Sequence, residues 1–127
     1  MSFPFDVDPH LPAIGLIALQ ADETIEQDFR RIFDWSTLIY VTRVPSATEV
    51  TSDTLQQMAA TLPAAARLFP TPAKFAAVGY GCTSGTAQIG VQEIERLVKF
   101  GTKTQAVSQP VSALVAACQH LKLKRIA

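Results

Sequence analysis

The segment AVGYGCTSG, from Ala77 to Gly85, ends an apolar run with a cysteine, two hydroxyl residues and a glycine. If the apolar run is a strand, Cys82 lies where that strand meets a turn, beside backbone N–H groups that have no partner in the strand. Such donors stabilise anions, including a thiolate or a bound carboxylate. Gly79, Gly81 and Gly85 favour a ligand here, because glycine lets the backbone approach a ligand closely. The alternative is a small apolar residue closing the strand, since free cysteines are often buried.

Several familiar loops do not fit this segment. A tyrosine-phosphatase loop needs arginine six residues after the cysteine, where this chain has Gln88, and a phosphate-binding Walker loop needs a lysine that is absent. A nucleophile elbow needs glycine two positions on either side of the nucleophile, but Tyr80 and Ser84 occupy those positions. The chemistry of Cys82 must therefore be argued from a different kind of site.

The composition is that of one globular domain without electrostatic attraction to polyanions. The 127 residues are 48% hydrophobic, which supports a real core. Eleven basic and eleven acidic residues give a formal net charge of zero, so neither nucleic acid nor an anionic membrane is an expected partner. No apolar stretch is long enough to cross a bilayer and no secretory signal is recognisable, so a cytoplasmic location is expected.

The two cysteines are expected to be free thiols in that reducing compartment. Neither lies near another cysteine or a histidine pair at metal-ligand spacing, so no metal site is expected. Cys118 shares a predicted helical face with Val111, Leu114 and Val115, which favours core packing over catalysis. The two histidines have no partner by spacing and are assigned no role.

Hydrophobic patterning predicts an α/β fold. Residues 1–12 contain three prolines and read as an irregular lead-in, and residues 13–127 read as a single α/β lobe. Strands are predicted at 13–19, 36–44 and 74–81, with a short one at 106–107 and another beginning at Lys124. Helices are predicted after Asp22, at 51–69 with a break or kink at Pro63, at 92–100, and from Pro110. This alternation predicts a parallel sheet sandwiched between helices on both faces.

The carboxyl ends of parallel strands share one edge of the sheet, and ligands gather beyond it. That rule selects the loops Leu19–Asp22, Thr42–Ser46 and Gly81–Thr86. We therefore expect the binding site at this edge.

Four segments, in this order and spacing, resemble the aspartate/glutamate racemase superfamily, in the branch of maleate cis-trans isomerases and arylmalonate decarboxylases. They are IGLIALQADETIEQDF (14–29), TRVP (42–45), GYGCTSG (79–85) and VSQPVSALVAACQHLKLKRIA (107–127). Within that branch, LQADETIEQDFR (19–30) is similar to the ectoine-utilisation members. The resemblance implies a flavodoxin-like lobe of the Asp/Glu racemase fold.

The resemblance also implies site residues. Cys82 matches a catalytic cysteine that acts as a thiolate. Thr83 and Ser84 match a pair of residues that holds the substrate carboxylate. From local sequence alone, Thr83 and Ser84 are equally well explained as part of a simple turn. Asp22 falls where many maleate isomerases have a substrate-binding asparagine. Because a carboxylate there would repel the carboxylate of a substrate, capping of the following helix is the other interpretation of Asp22. Arg43 would supply positive charge near the substrate or be an exposed residue at a strand end. No cofactor is expected, because oriented N–H groups can stabilise an enolate-like charge.

Members of this superfamily have two lobes with one catalytic cysteine in each, and the second would lie beyond Ala127. We therefore expect the first lobe of a longer, cofactor-independent racemase or isomerase acting on a small carboxylate, with little activity alone. One alternative is an arylmalonate-decarboxylase-like lyase, which Cys82 disfavours because those enzymes tend to have glycine there. The other is a non-catalytic anion-binding or interaction module. A homo-oligomer, or pairing with the second lobe, is expected through the exposed final strand.

Overall fold

The computed structural model describes residues 13–126. The expected irregular lead-in and Ala127 lie outside the described residues. Within them, no helix combines the length and apolar character needed to span a bilayer. The strands are β1 (Ala13–Leu19), β2 (Leu38–Val44), β3 (Phe75–Tyr80) and β4 (Thr104–Ser108). The helices are α1 (Ile25–Ile32), α2 (Ser52–Ala66), α3 (Thr83–Ile89), α4 (Val91–Gly101) and α5 (Pro110–His120).

The strands form one parallel sheet in the order β2-β1-β3-β4. β1 is the most apolar strand and lies inside the sheet, where Gly15 is paired with Tyr40 of β2 on one side and Val78 of β3 on the other. A strand flanked on both sides and covered on both faces has no polar face, which explains its continuous apolar run. The prediction of a parallel α/β sandwich is confirmed.

One face of the sheet is closely packed against α2 and α4. Leu62 of α2, Val98 of α4 and Val78 of β3 are all 0% exposed and belong to one hydrophobic cluster. A Cβ atom at Gly101 would lie 2.5 Å from both the Pro63 carbonyl oxygen and the Ala66 Cβ. The ends of α2 and α4 are therefore in direct contact, and only glycine fits between them.

Of the break or kink predicted at Pro63, the break is wrong, because α2 runs through this residue without interruption. Proline removes one backbone donor, but the next turn is retained by a hydrogen bond of 3.1 Å from the Arg67 N–H to the Pro63 carbonyl. Leu62, Ala65 and Ala66 are buried on either side of it. Burial of this apolar face offsets the local cost of proline.

The opposite face, which we call the open face, carries α1 and α5 and is incompletely covered. Neither helix has a buried residue. Between them lies an apolar groove of about 370 Å³, whose floor is the sheet itself. The groove is lined by Ile14, Gly15, Leu16, Ile25, Phe29, Phe33, Ala77, Gly79, Tyr80, Gly81, Ser108, Gln109, Pro110 and Ala113. Helices lie on both faces, but only one face is fully packed.

Two elements at the ends of predicted segments differ from expectation. A turn was expected after Cys82, but the structure has the helix α3 there. Its short, polar, glycine-containing sequence has no helical pattern that would have predicted it. The strand expected from Lys124 is absent, since residues 124–126 are not in a strand. A strand is stable only when its backbone groups are paired with a neighbour, and β4 remains an edge strand among the described residues.

Candidate functional site

The strand order places a crevice between β1 and β3. The chain leaves β1 towards β2 through α1 on the open face, and leaves β3 towards β4 through α3 and then α4 on the packed face. Connections that leave neighbouring strands on opposite faces open a crevice at the carboxyl edge, where ligands bind in this class of sheet. The two loops at this point carry Asp22 and Cys82, so the structure brings both residues to the same edge.

Cys82 is the N-terminal cap of α3. Its backbone is extended, with φ −137° and ψ 112°, and its sulfur accepts the Gly85 N–H at 3.2 Å. The Ser84 hydroxyl oxygen lies 3.7 Å from the same sulfur. The Gly85 N–H is free to bond to the sulfur because N–H groups in the first helical turn lack partners within the helix, and between Cys82 and Ser84 either side chain can be the donor.

The cap is fixed by contacts on both sides of Cys82. The Thr86 hydroxyl donates to the Cys82 carbonyl oxygen at 2.7 Å, and the Gly81 N–H donates to the Ile17 carbonyl oxygen at 2.9 Å. Gly81 also packs closely, because a Cβ atom there would lie 2.7 Å from the Ile25 Cδ1 atom of α1 and that side chain would have to shift. The glycines before and after Cys82 thus serve close approaches within the protein itself.

Cys82 is only 4% exposed and belongs to the hydrophobic cluster. Thr83 and Ser84 are exposed on the outer side of the same turn. The sulfur therefore lies at the carboxyl edge, as the sequence predicted, but beneath the surface, as expected for an apolar residue closing a strand. Substrate access to it would require this turn or its surroundings to open.

Tyr80, which the sequence analysis did not select, lies beneath the Cys82 turn. It is 1% exposed and its hydroxyl donates to the Met58 sulfur at 2.8 Å. Burial, and then the negative charge that Cys82 can carry, raises the pKa of Tyr80. Tyr80 is therefore a neutral hydroxyl beside the thiol. Its position as the last residue of an apolar strand was the signal available in the sequence.

Asp22 caps α1. Its Oδ1 atom accepts the Ile25 N–H at 2.8 Å and the Thr24 N–H at 2.9 Å. These two hydrogen bonds, chiefly that of Ile25, lower the pKa of Asp22, and Arg43 adds a smaller electrostatic contribution. The capping interpretation therefore accounts for its side chain, and a substrate contact remains a prediction.

Arg43 joins β2 to the β1–α1 loop. Its Nη1 atom donates to the carbonyl oxygens of Leu19 at 2.8 Å and Asp22 at 2.7 Å, and its Nη2 atom lies 3.6 Å from a Glu26 carboxylate oxygen. Two of its five N–H donors thus stabilise the loop. Its proposed role in binding a substrate remains a prediction.

A fourth loop, which the sequence analysis did not select, reaches the same edge. Gln109 follows β4, is 5% exposed, and caps α5 by accepting the Ser112 N–H at 2.9 Å. Its amide nitrogen also contacts the Ser112 hydroxyl. The sequence signal was a polar residue directly before Pro110, since proline favours the first turn of a helix.

The described residues hold no group of three or more His, Cys, Asp or Glu side chains that could bind a metal ion. The described arrangement offers a thiol, hydroxyl groups and backbone N–H donors. Such groups suit proton transfer or nucleophilic addition on a bound anion.

Solved structures of one enzyme share this architecture. The chain is similar to the maleate isomerase Iso from Pseudomonas putida S16, with a TM-score of 0.68 and 16% identity, over 87% of this chain and 50% of that one. A cysteine-to-alanine variant of that enzyme, crystallised with maleate, gives a TM-score of 0.65 and 16% identity over 87% and 49% of the two chains. No protein-family model and no curated protein sequence matches.

The chain spans about half the length of these maleate isomerases. At this identity the likeness concerns the fold alone. It agrees with the parallel α/β lobe that the sequence predicted.

Proposed function

We propose that this chain is one lobe of a cofactor-independent isomerase or racemase that acts on a small carboxylate, with Cys82 as the reacting thiolate. The observation that carries the proposal is the Cys82 sulfur at the β1/β3 crevice, accepting the Gly85 N–H, in a fold shared with maleate isomerase. Its cytoplasmic location and its relation to the maleate isomerase branch, including the ectoine-utilisation members, belong to the same proposal.

The substrate carboxylate would bind at Thr83 and Ser84. The N–H of Gly85 bonds to the Cys82 sulfur and that of Thr86 to the Cys82 carbonyl. The N–H groups of Thr83 and Ser84 precede these in the first turn, where they can receive an anion, and both side-chain hydroxyls are exposed beside them. Binding here would bring the carboxylate to the turn that covers the sulfur.

Two reactions suit a thiolate in this position. On maleate, the sulfur would bond to one alkene carbon, and the π electron pair would move onto the other carbon and its carboxylate. Rotation about the new single bond, followed by cleavage of the C–S bond, would give fumarate with no net proton transfer. On an α-substituted acid, the thiolate would remove the α proton, and a group on the second lobe would return one to the opposite side.

A carboxylate titration followed by NMR tests the binding step on this chain. We expect maleate to shift the backbone amide signals of Thr83, Ser84 and Gly85 in a saturable way. The Ser84→Ala variant should bind more weakly, whereas Thr71→Ala, at an exposed threonine before β3, should bind like the wild type. Absence of saturable shifts in the Cys82 turn would contradict the proposal.

The second candidate function is a non-catalytic anion-binding or interaction module. The burial of Cys82 favours it, because a thiol that is 4% exposed is poorly accessible to a substrate. Saturable binding of maleate, with a Cys82 thiol that alkylating reagents reach no faster than Cys118, would support this module. A decarboxylase remains a third outcome, and carbon dioxide release from an arylmalonate would identify it.

A further inference from the structure

Positive charge is concentrated in the second part of the chain. Residues 54–127 contain eight of the eleven basic residues but only two acidic residues, Glu93 and Glu95. The formal net charge of zero therefore conceals an excess of six positive charges in this part of the chain. Such an asymmetry favours binding of an anion at the point where the cations converge.

Three of these cations converge on a second pocket, at the amino edge of the sheet. The pocket has a volume of about 550 Å³, which is usual for a small-molecule site, and its lining includes Arg67, Phe69, Lys99, Phe100 and Lys103. Lys103 directly precedes β4, whose first residue is paired with the first residue of β3. Because these strands are parallel, the pocket and Cys82 lie at opposite edges of the sheet.

Close packing between two helices fixes the position of the pocket. The pocket lies where the ends of α2 and α4 are in contact at Gly101, which is itself part of the lining. Phe69, which follows α2, is 5% exposed and belongs to the hydrophobic cluster. Arg67 and Lys99 are therefore attached to helix ends whose separation is set by the core.

The charge of these cations is only partly balanced by carboxylates. None of the five ion pairs among residues 13–126 includes Arg67 or Lys103. The Lys99 Nζ atom lies 2.6 Å from a Glu95 carboxylate oxygen. One carboxylate thus accompanies three cations, which leaves the pocket with an excess of two positive charges.

The cations are also not required as caps for the helix carbonyl groups, the usual explanation for a cation at a helix C-terminus. Backbone N–H groups already bond to these carbonyls. In α2 the Arg67 N–H donates to the Pro63 carbonyl oxygen at 3.1 Å, and in α4 the Thr102 N–H donates to the Val98 carbonyl oxygen at 3.0 Å. The side-chain donors of Arg67 and Lys103 thus remain available to a ligand.

Phe100 and Arg67 give the pocket a stacking surface. The Arg67 guanidinium carbon lies over the Phe100 ring, 5.1 Å from its centre, in a cation–π contact. A guanidinium held through its face keeps its edge N–H groups for the oxygens of an anion. Phe100 is nonetheless 68% exposed, so its ring can also receive a planar group. An aromatic ring beside cations is the arrangement by which proteins bind a nucleobase together with its phosphate.

We propose that this pocket binds a phosphate monoester that carries a planar ring, such as a nucleoside monophosphate. Arg67, Lys99 and Lys103 hold the phosphate, whose charge of about −1.5 to −2 at neutral pH matches the excess positive charge. The ring stacks on Phe100. This site goes beyond the function proposed for Cys82 and lies at the other edge of the sheet, so either proposal can fail without the other.

Calorimetric titration with adenosine monophosphate tests the site, with ribose 5-phosphate and adenosine as partial ligands. We expect ribose 5-phosphate to bind about tenfold more weakly than adenosine monophosphate, because it lacks the stacking ring, and adenosine to bind weakest of the three. Phe100→Leu should weaken binding of adenosine monophosphate about tenfold and leave that of ribose 5-phosphate unchanged. The backbone amide NMR signals of Gly101 and Thr102 should shift on binding, whereas those of the Cys82 turn should not.

A matched pair of lysine variants separates a site from general electrostatic attraction. Lys103→Gln should weaken binding of both phosphate compounds about tenfold, because a hydrogen bond to a charged group is lost. Lys124→Gln removes the same charge at an exposed position outside the pocket lining and should bind like the wild type. The proposal would be overturned by no saturable binding of adenosine monophosphate, by equal affinities for adenosine monophosphate and ribose 5-phosphate, or by equal effects of the two lysine variants.

Discussion

The Cys82 sulfur and the Gly85 backbone are held together by a hydrogen bond of 3.2 Å and by the absence of a side chain at Gly85. A Cβ atom at Gly85 would lie 2.6 Å from the Tyr80 hydroxyl oxygen and 2.9 Å from the Cys82 sulfur. The helix α3 can therefore follow Cys82 this closely only because residue 85 is glycine.

Gly85→Ala should destabilise the protein by about 1–3 kcal/mol, because either the sulfur or the Tyr80 ring must move. The change is measured as the free energy of unfolding in urea. Gly79→Ala is the matched control, since its Cβ would have no neighbour closer than 3.8 Å and should cost far less. Equal losses in the two variants would show that the close approach at Gly85 is not decisive.

Asp22→Ala should reduce stability at neutral pH by about 1 kcal/mol, the usual cost of losing a helix cap. The folded state lowers the pKa of Asp22, so its contribution is present above the unfolded pKa of about 3.9 and is lost as the pH falls through the folded value. The difference between wild type and variant should therefore shrink in acid. Glu23→Ala removes the neighbouring exposed carboxylate, and a similar loss there would contradict the capping role.

Tyr80→Phe should reduce stability at neutral pH by about 1 kcal/mol, through loss of the hydrogen bond to Met58. The fold raises the pKa of Tyr80, so this tyrosine stabilises the fold fully below its unfolded pKa of about 10 and progressively less as the pH rises above that value. Urea unfolding at increasing alkaline pH should show the two proteins converging. Tyr40→Phe is the control for the loss of a tyrosine hydroxyl elsewhere in the sheet. If the unfolding free energies of wild type and Tyr80→Phe moved further apart in alkali, the raised pKa of Tyr80 would be contradicted.

The parallel sheet was predictable because its strands have distinctive patterns. β1 is an unbroken apolar run, and its bounds at Ala13 and Leu19 match the prediction. The predicted 36–44 strand begins two residues later in the structure, at Leu38. The continuity of α2 at Pro63 and the helical state of Thr83–Ile89 were not predictable, because both depend on packing against other elements rather than on local sequence.

The positions of Cys82 and Asp22 at the carboxyl edge of the sheet were predictable, but their environments were not. The rule for carboxyl ends of parallel strands led to Cys82 and Asp22 without any coordinates. The burial of Cys82, the contact of Tyr80 with Met58 and the buried cap at Gln109 arise between residues far apart in sequence. A single sequence carries no signal for such contacts beyond the residue types themselves.

The central claim is that the Cys82 turn presents a carboxylate to its own sulfur, and competitive alkylation tests it most directly. Iodoacetate and iodoacetamide react alike, with the thiolate attacking the CH₂ carbon and iodide leaving, but only iodoacetate carries a carboxylate. Cys118, half-buried on α5, is the internal control within the same molecules. Peptide mass spectrometry gives the rate at each cysteine.

We expect the ratio of iodoacetate to iodoacetamide rates to be higher at Cys82 than at Cys118. Maleate should remove that excess, and Ser84→Ala should reduce it. Equal ratios at the two cysteines, unchanged by maleate, would contradict the account.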